Sequence, residues 1–218
     1  YYEGLRGKWG PELEDALKTL TEETHTYYPT YDALKTHLKF SDTSDSGKMQ
    51  TFYAHAEFTG DWDNGKTWNR EHVWAQSLSW FDDKKSEKAY SDLHHIRPTI
   101  SGINSGVSNH TFGDFDETKG EKIESNGELG GYKVKNDGKT YFEPLRHSKG
   151  DVARILFYMI IRYDTECANY PLIPQVAQSM EMLIAWHELD PVDNYEMRIN
   201  NYTASVQGNR NPFIDHPE

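Results

Sequence analysis

The chain has 218 residues, one cysteine and a net charge of −12 at neutral pH. A chain of this length buries enough surface to fold without disulfides, and the lone Cys167 excludes an intrachain disulfide,. The acidic balance argues against a protein that only binds nucleic acid tightly, because such binding favours basic surfaces. No apolar run approaches the roughly 20 residues that a membrane span needs, so no membrane partner is expected.

In the first third of the chain, apolar spacing predicts helices over residues 11–21 and 31–40,. Residues 50–54 are aromatic and are expected to be extended,. The Asn-Gly turn at residues 64–65 precedes a predicted strand over residues 67–74,.

The second half of the chain is expected to be mostly helical. An Asn-Asp-Gly turn at residues 136–138 predicts an antiparallel hairpin between 131–135 and 139–143,. Apolar periodicity predicts a central buried helix over residues 151–163 and further helices over 175–189 and 193–207,. The pattern indicates one α+β domain over residues 1–218, mostly helical with short antiparallel hairpins.

One face of the central helix is predicted to carry Arg154, Tyr158 and Arg162, which recur every four residues,. Two interpretations of this face remain open. The arginines could pair with carboxylates at the edge of the core, or they could face phosphate, whose oxygens match a guanidinium group.

Residues 69–113 contain four of the ten histidines. Residues 69–74 read Asn-Arg-Glu-His-Val-Trp on the predicted strand, and residues 92–98 read Asp-Leu-His-His-Ile-Arg-Pro and are expected to be extended,. A short helix is expected over residues 103–109. Neighbouring side chains on a strand point to opposite faces, so Glu71 and His72 can share a site only if the chain bends or ends there. The pattern predicts strand, loop, strand and helix, with a bend or bulge near residue 71.

The side chains in this unit suit phosphodiester hydrolysis. A neutral imidazole can take a proton from water near neutral pH, which makes His72 the candidate general base. Mg²⁺ prefers oxygen ligands and keeps several waters, so the Glu71 carboxylate and the Asn104 amide oxygen are a sensible protein contribution. The residues therefore predict a hydrolytic site with one metal ion.

Together the segments resemble the bacterial endonuclease I family, within the ββα-metal (His-Me finger) nucleases. The resemblance rests on the two motifs above, on Asn104 and Ser108-Asn109, and on residues 149–154 and 207–217. It implies a ββα-metal motif at about residues 67–113, with His72 as general base and Glu71 and Asn104 as ligands of a magnesium-like ion.

The resemblance also implies the activity and its setting. It implies a largely sequence-nonspecific endonuclease that acts on DNA, RNA or both and leaves 5′-phosphates. We expect Mg²⁺ as cofactor, with Mn²⁺ or Ca²⁺ as possible substitutes. We also expect a secreted or periplasmic monomer whose signal peptide has been removed.

The chain departs from the family pattern at two positions. Ala75 stands where a proline is usual, and Val107 stands where an arginine commonly precedes Ser-Asn or Gly-Asn. The second departure removes a candidate phosphate contact, and Arg97 or Arg154 is the expected replacement. Asn109 is a further candidate on the substrate side, or a helix cap.

His94 and His95 are expected to support the site by packing. One alternative function is a zinc-dependent hydrolase that uses His72, His94 and His95 as ligands, although the chain has no His-Glu-x-x-His motif,. The other alternative, from a different class, is a non-catalytic secreted domain that binds nucleic acid or protein.

Overall fold

The computed structural model describes residues 1–82, 86–116 and 119–218. In this part of the chain the predicted α+β class is confirmed, because helices are combined with short, mainly antiparallel strands. The helices are α1 (Gly10–Glu23), α2 (Leu34–Ser41), α3 (Ser101–Val107), α4 (Arg146–Arg162), α5 (Asp164–Cys167), α6 (Met180–Leu189), α7 (Asn194–Gln207) and α8 (Pro212–Asp215). The strands are β1 (Met49–Gln50), β2 (Glu57–Phe58), β3 (Trp68–His72), β4 (Ile96–Ile100), β5 (Thr111–Phe112), β6 (Glu121–Ser125), β7 (Glu128–Asn136) and β8 (Lys139–Pro144).

Helix α4 is the centre of the fold, as its apolar stripe predicts. Most of its side chains are buried, and it packs against α1, α6 and α8. Its apolar residues belong to the main hydrophobic core together with aromatic side chains from β8 and α6, including Phe142 and Trp186. Burial on nearly every side explains why apolar residues occur almost all round this helix.

Two groups of strands position the central segment. Strands β3 and β4 form an antiparallel pair in regular register from Trp68 opposite Ile100 to His72 opposite Ile96. The second sheet has the order β5-β8-β7-β6, and its β7–β8 pair is the hairpin that the Asn-Asp-Gly turn predicts.

Helix α3 follows β4 directly and packs against β6 and β7. A Cβ atom at Gly106 would lie 2.5 Å from Cγ2 of Ile123, so glycine permits the close approach of α3 to β6,. The order β3, β4, α3 gives the predicted strand–loop–strand–helix unit.

Three predictions about local structure are wrong. The segment predicted to be extended over residues 92–98 is extended only from Ile96, because residues 93–95 form a turn in which the Asp92 carbonyl accepts the N–H groups of His95 and Ile96 at 2.9 and 3.0 Å. Residues 52–54 form a turn rather than an extended segment, because Thr51 and Ala56 close a loop by the bond from Thr51 N–H to the Ala56 carbonyl, 2.8 Å. The helix predicted over 175–189 begins only at Met180, since the Ser179 hydroxyl accepts the Met182 N–H at 3.1 Å and caps the helix there,.

The remaining helix predictions differ from the structure mainly at their ends. For the last long helix, Asp193 is the cap that accepts the Glu196 N–H at 3.0 Å, and α7 begins one residue later. Within the described residues, no helix combines the length and the apolar character that a membrane crossing requires.

Candidate active site

A pocket of about 330 Å³ lies beside the end of β3 and helix α3. Its lining is mostly polar and contains the three residues that the sequence assigns to the chemistry. The lining residues are Arg70, Glu71, His72, Ala75, Gln76, Ser77, Asp82, Asn104, Ser108 and Asn109.

A larger pocket of about 900 Å³ lies elsewhere, between the N-terminal turn and the C-terminal tail. Its walls are mainly apolar and include Leu13, Phe157 and Phe213. A catalytic site needs convergent polar groups rather than volume alone, so the smaller pocket is the candidate active site.

Glu71 and His72 reach the same pocket because the strand ends, and of the predicted bend or bulge the chain shows a bend directly after His72. The pairing of β3 with β4 shows no register shift at residue 71. His72 is the last residue of β3, and the chain bends at Val73 and Trp74.

The imidazole of His72 is held by a contact on each nitrogen. Nε2 lies 2.9 Å from the carbonyl oxygen of Tyr90, and a carbonyl only accepts, so Nε2 carries the proton,. Nδ1 then accepts from Nε2 of Gln76 at 2.7 Å. Burial, followed by the nearby His95, lowers the pKa of His72 to about 3. The ring is therefore neutral at pH 7, with its lone pair on Nδ1.

Glu71 is a buried carboxylate without a cationic partner. Its side chain is 5% exposed, and Oε1 accepts the hydroxyl of Tyr53 at 3.0 Å. Within the described residues it forms no ion pair. Burial raises the pKa of Glu71 to about 8, although the Tyr53 hydrogen bond opposes this shift. A buried carboxylate with a raised pKa is stabilised in its charged form by a nearby cation.

Asn104 lies on α3, is half-buried and contributes to the same pocket. Its side chain makes no hydrogen bond within the described part of the chain. The amide oxygen of Asn104 and the carboxylate of Glu71 are thus both available to a ligand. Two protein oxygens and room for waters fit a hard cation such as Mg²⁺.

His95 packs behind His72, with ring centroids 5.6 Å apart. Its Nε2 accepts the Trp74 N–H at 2.8 Å, and its Nδ1 lies 3.2 Å from the Ala89 carbonyl. These contacts agree with the expected supporting role, because they fix the chain where it bends after His72.

His94 lies away from the pocket. Its Nε2 is 3.1 Å from the carbonyl oxygen of Asn209, and its ring packs on Tyr158 at 4.7 Å. Among the described residues, no group of three or more His, Cys, Asp or Glu side chains is arranged to hold a metal ion. The zinc site of His72, His94 and His95 is therefore contradicted, since His94 is hydrogen-bonded to Asn209 away from the pocket, while His72 and His95 contact the carbonyls of Tyr90 and Ala89.

Arg97 and Arg154 do not line the pocket, contrary to the expectation that one of them contacts phosphate. Arg97 is 1% exposed, and its Nη1 binds Asp42 at 2.8 Å. Arg154 is fully buried, with Nε 2.6 Å and Nη2 2.7 Å from the Glu196 carboxylate. Both guanidinium groups are engaged in buried ion pairs. On the arginine face of α4, Arg154 therefore pairs with a carboxylate as one interpretation predicts, whereas Arg162 is buried, donates from Nε to Nδ1 of His25 at 3.3 Å and forms no ion pair with a carboxylate among the described residues.

Asn109 lines the pocket and is exposed, with its Nδ2 3.1 Å from the hydroxyl of Ser77. It follows the end of α3 and does not cap the start of a helix. The pocket also contains Arg70, Gln76 and Asp82, which the sequence interpretation left unassigned. Strand alternation could have identified Arg70, because residues 70 and 72 lie on the same face of β3.

The chain is similar to known nucleases. A family model described as Endonuclease I matches residues 12–218. An extracellular ribonuclease of Bacillus subtilis (strain 168) is 34% identical over 234 residues, covering 100% of this chain and 76% of that protein. An Endonuclease-1 of Buchnera aphidicola subsp. Baizongia pistaciae is 30% identical over 133 residues, covering 61% of this chain and 49% of its own length. A periplasmic deoxyribonuclease of Aeromonas hydrophila is 27% identical over 130 residues, covering 59% and 48%.

The family match covers nearly the whole chain and includes every residue that lines the pocket. The chain therefore belongs to the endonuclease I family, and it is an enzyme that cleaves nucleic acid.

Proposed function

We propose that the chain is a metal-dependent, largely sequence-nonspecific endonuclease that hydrolyses phosphodiester bonds and leaves 5′-phosphates. One observation carries the proposal. A neutral histidine, whose Nδ1 carries the lone pair and accepts from the Gln76 amide, shares a pocket with the buried carboxylate of Glu71 and the amide of Asn104, which forms no side-chain hydrogen bond within the described residues. A base beside two oxygen ligands suited to a cation is the minimum that metal-assisted hydrolysis requires.

His72 acts as the general base. Nδ1 takes a proton from a water molecule as the water oxygen forms a bond to phosphorus. The bond from phosphorus to the 3′-oxygen breaks, the 3′-oxygen takes up a proton from solvent, and the product strand carries a 5′-phosphate. The Tyr90 carbonyl keeps Nε2 protonated, so the ring presents the same tautomer at the start of each turnover,.

Glu71 and Asn104 hold the cation. The cation, when bound, offsets negative charge on the phosphate and on the departing oxygen. The Tyr53 hydroxyl fixes one oxygen of the Glu71 carboxylate at 3.0 Å and leaves the other for the ion. Mg²⁺ is the expected ion, and Mn²⁺ or Ca²⁺ are the alternatives that the same oxygen ligands accept.

The names of the similar proteins support a choice of substrates and of compartment for this chain. They are named as a ribonuclease, an endonuclease and a deoxyribonuclease, so both RNA and DNA are candidate substrates. Two of these names specify an extracellular or a periplasmic enzyme. We infer a secreted or periplasmic enzyme that acts as a monomer.

The proposal is tested by digesting RNA, single-stranded DNA and duplex DNA in parallel, with Mg²⁺, with Mn²⁺ and with chelator. Cleavage with metal, none with chelator, and 5′-phosphate ends are expected. His72→Ala should lower the rate by at least about 100-fold, the usual scale for a general base. His110→Ala is the matched control, because His110 lies in the same segment but does not line the pocket.

Undiminished cleavage by a folded His72→Ala variant would remove His72 as the base. Cleavage of equal rate in the presence of chelator would overturn the metal dependence. Salt-sensitive binding of nucleic acid without cleavage under any of the metal conditions would favour the non-catalytic alternative.

A further inference from the structure

Arg70 is the cationic side chain that lines the candidate active site within the described residues. It stands two residues before His72 on β3, so the two side chains share one face of the strand,. The carboxylates that line the same pocket are Glu71 and Asp82, and neither forms an ion pair with Arg70 in the described part of the chain. The charge of Arg70 is therefore available to an anion in this pocket.

Contacts of the guanidinium group with Tyr31 and Trp62 hold Arg70 in place. Nη1 donates to the carbonyl oxygen of Tyr31 at 2.8 Å. The guanidinium carbon lies 3.9 Å from the ring centroid of Tyr31 and 4.9 Å from that of Trp62. Two aromatic contacts and a backbone hydrogen bond fix the plane of the group before any ligand arrives.

The guanidinium group of Arg70 has further N–H donors. Nη2 makes no hydrogen bond within the described residues and is not among the buried unpaired atoms, whereas Nε is buried without a partner. A guanidinium group has five N–H donors, and only one is used by protein in this part of the chain,. An arginine that is oriented, positively charged and underused at a phosphodiesterase pocket is suited to bind phosphate oxygens.

The position where the family pattern has an arginine cannot serve here. Val107 is 2% exposed and packs into the main core. The two other candidates, Arg97 and Arg154, are held in buried ion pairs. Among the described residues, the positive charge at the pocket comes from Arg70 on β3.

We propose that Arg70 binds the non-bridging oxygens of the scissile phosphate and stabilises the charge that develops there during hydrolysis. This inference rests on the proposed function. Arg70 donates from Nη2 to the phosphate, while Tyr31 and Trp62 hold the orientation of the guanidinium plane relative to His72. The ligand is any phosphodiester, since the contact reads the backbone and not the base.

The test compares Arg70→Ala, Arg70→Lys and the control Arg6→Ala with the wild-type enzyme on a short labelled oligonucleotide under saturating metal. Arg6 is exposed, forms no ion pair with the described residues and lies at the larger pocket. Arg70→Ala should lower kcat/KM by about 100-fold, the scale for losing one donor to a developing oxyanion. The kcat/KM of Arg70→Lys should lie between those of the wild type and Arg70→Ala, because an ammonium group keeps the charge but not the planar geometry of a guanidinium group. The kcat/KM of Arg6→Ala should stay within twofold of the wild-type value.

Two further readouts separate phosphate binding from a merely structural role. Millimolar guanidinium should restore at least fivefold activity to Arg70→Ala, whereas NaCl at equal ionic strength should not. Inorganic phosphate should inhibit the wild-type enzyme competitively and inhibit Arg70→Ala at least tenfold more weakly. Calorimetric Mn²⁺ binding should be the same in both proteins.

A folded Arg70→Ala variant with kcat/KM within twofold of wild type would overturn the proposal. If that variant does not fold, unchanged kcat/KM and unchanged phosphate inhibition in Arg70→Lys would overturn it instead. These results leave the proposed function intact, since that function fails only if the wild-type enzyme shows no metal-dependent cleavage.

Discussion

Nε2 of His72 lies 2.9 Å from the carbonyl oxygen of Tyr90, and this contact selects the nitrogen that can accept a proton. Because the carbonyl fixes hydrogen on Nε2, only Nδ1 keeps a lone pair. That lone pair points to the amide nitrogen of Gln76 at 2.7 Å. A nucleophilic water must occupy the same direction, so Gln76 competes with it.

Replacing Gln76 with alanine should therefore leave kcat unchanged or raise it. The amide–imidazole hydrogen bond is worth about 1 kcal/mol, so the increase should not exceed about fivefold. Single-turnover cleavage under saturating metal measures this directly. Gln175→Ala is the control, because Gln175 is exposed and outside the pocket. A loss of more than tenfold would mean that the amide positions the water rather than competing with it.

Three buried histidines and the half-buried His55 should make the fold sensitive to mild acid. Burial lowers the pKa of His25, His94 and His95 to about 4 and that of His55 to about 3. An unfolded histidine titrates near about 6.5. Below that pH the unfolded chain binds protons that the folded chain does not, so stability present above about pH 6.5 is lost as the pH falls towards 4.

His55 offers the sharpest test of this pH dependence. Its ring packs against that of His147 at a centroid distance of 3.9 Å, Nε2 is buried without a partner among the described residues, and its φ is +52°. His55→Asn tolerates that backbone conformation and removes one titrating group. Urea unfolding between pH 4 and 6 should show a slope of stability against pH that is smaller by about 1.36 kcal/mol per unit. Above pH 7 the two slopes should coincide, and equal slopes throughout would contradict the assignment.

The sequence predicts the local elements of this molecule better than its long-range contacts. The apolar stripe of α4 and the Asn-Asp-Gly turn before β8 are local signals, and both elements form as expected. The partners of Arg97 and Arg154 are not local, because Asp42 lies 55 residues before Arg97 and Glu196 lies 42 residues after Arg154. Charge alone does not distinguish an arginine that faces phosphate from one that meets a buried carboxylate.

Within the candidate site, residue types were predictable and orientation was not. The motifs around residues 69–74 and Asn104 identify side chains that the structure brings to one pocket. The end of β3 at His72 is set by the hydrogen bond from Trp74 N–H to His95, which is a tertiary contact. A strand pattern carries no information about such a contact, which is why the sequence left a bend, a bulge and a strand end as alternatives.

The carboxylate of Asp92 connects the central segment to two helices. It accepts four hydrogen bonds, from the His94 N–H at 2.8 Å, the Gln207 amide at 2.9 Å, and the hydroxyls of Tyr158 and Tyr163 at 2.7 and 2.8 Å. Burial raises the pKa of Asp92, but nearby histidines and these donors outweigh burial and leave its pKa below the ordinary value. The folded protein therefore stabilises Asp92 in its charged form.

Asp92→Asn should destabilise the fold by about 3 kcal/mol, because one amide nitrogen would face donors that then lose their acceptor. Chemical unfolding at pH 7 measures the loss. The control Asp45→Asn breaks an exposed ion pair with Arg198 and should change stability by less than about 0.5 kcal/mol,. A value for Asp92→Asn as small as the control would show that water replaces the lost acceptor.

The alanine at position 75, where the family pattern has a proline, should accept proline without strain. Ala75 has φ of −57° and ψ of 133°, which lie within the range of proline,. Its N–H donates no hydrogen bond within the described residues, so proline removes none there. The rigid ring reduces the entropy of the unfolded chain and should stabilise the fold by about 0.4–1 kcal/mol.

Ala33→Pro is the matched control for Ala75→Pro. Its φ of −64° also suits proline, but its N–H donates to the Thr30 hydroxyl at 3.2 Å. Proline there deletes that hydrogen bond, so Ala33→Pro should be neutral or destabilising in the same urea unfolding experiment. If Ala75→Pro destabilises as much as Ala33→Pro, the backbone at residues 74–75 is not free to take proline. The destabilisation by Ala75→Pro would then come from a changed bend after His72, and cleavage activity should fall together with stability.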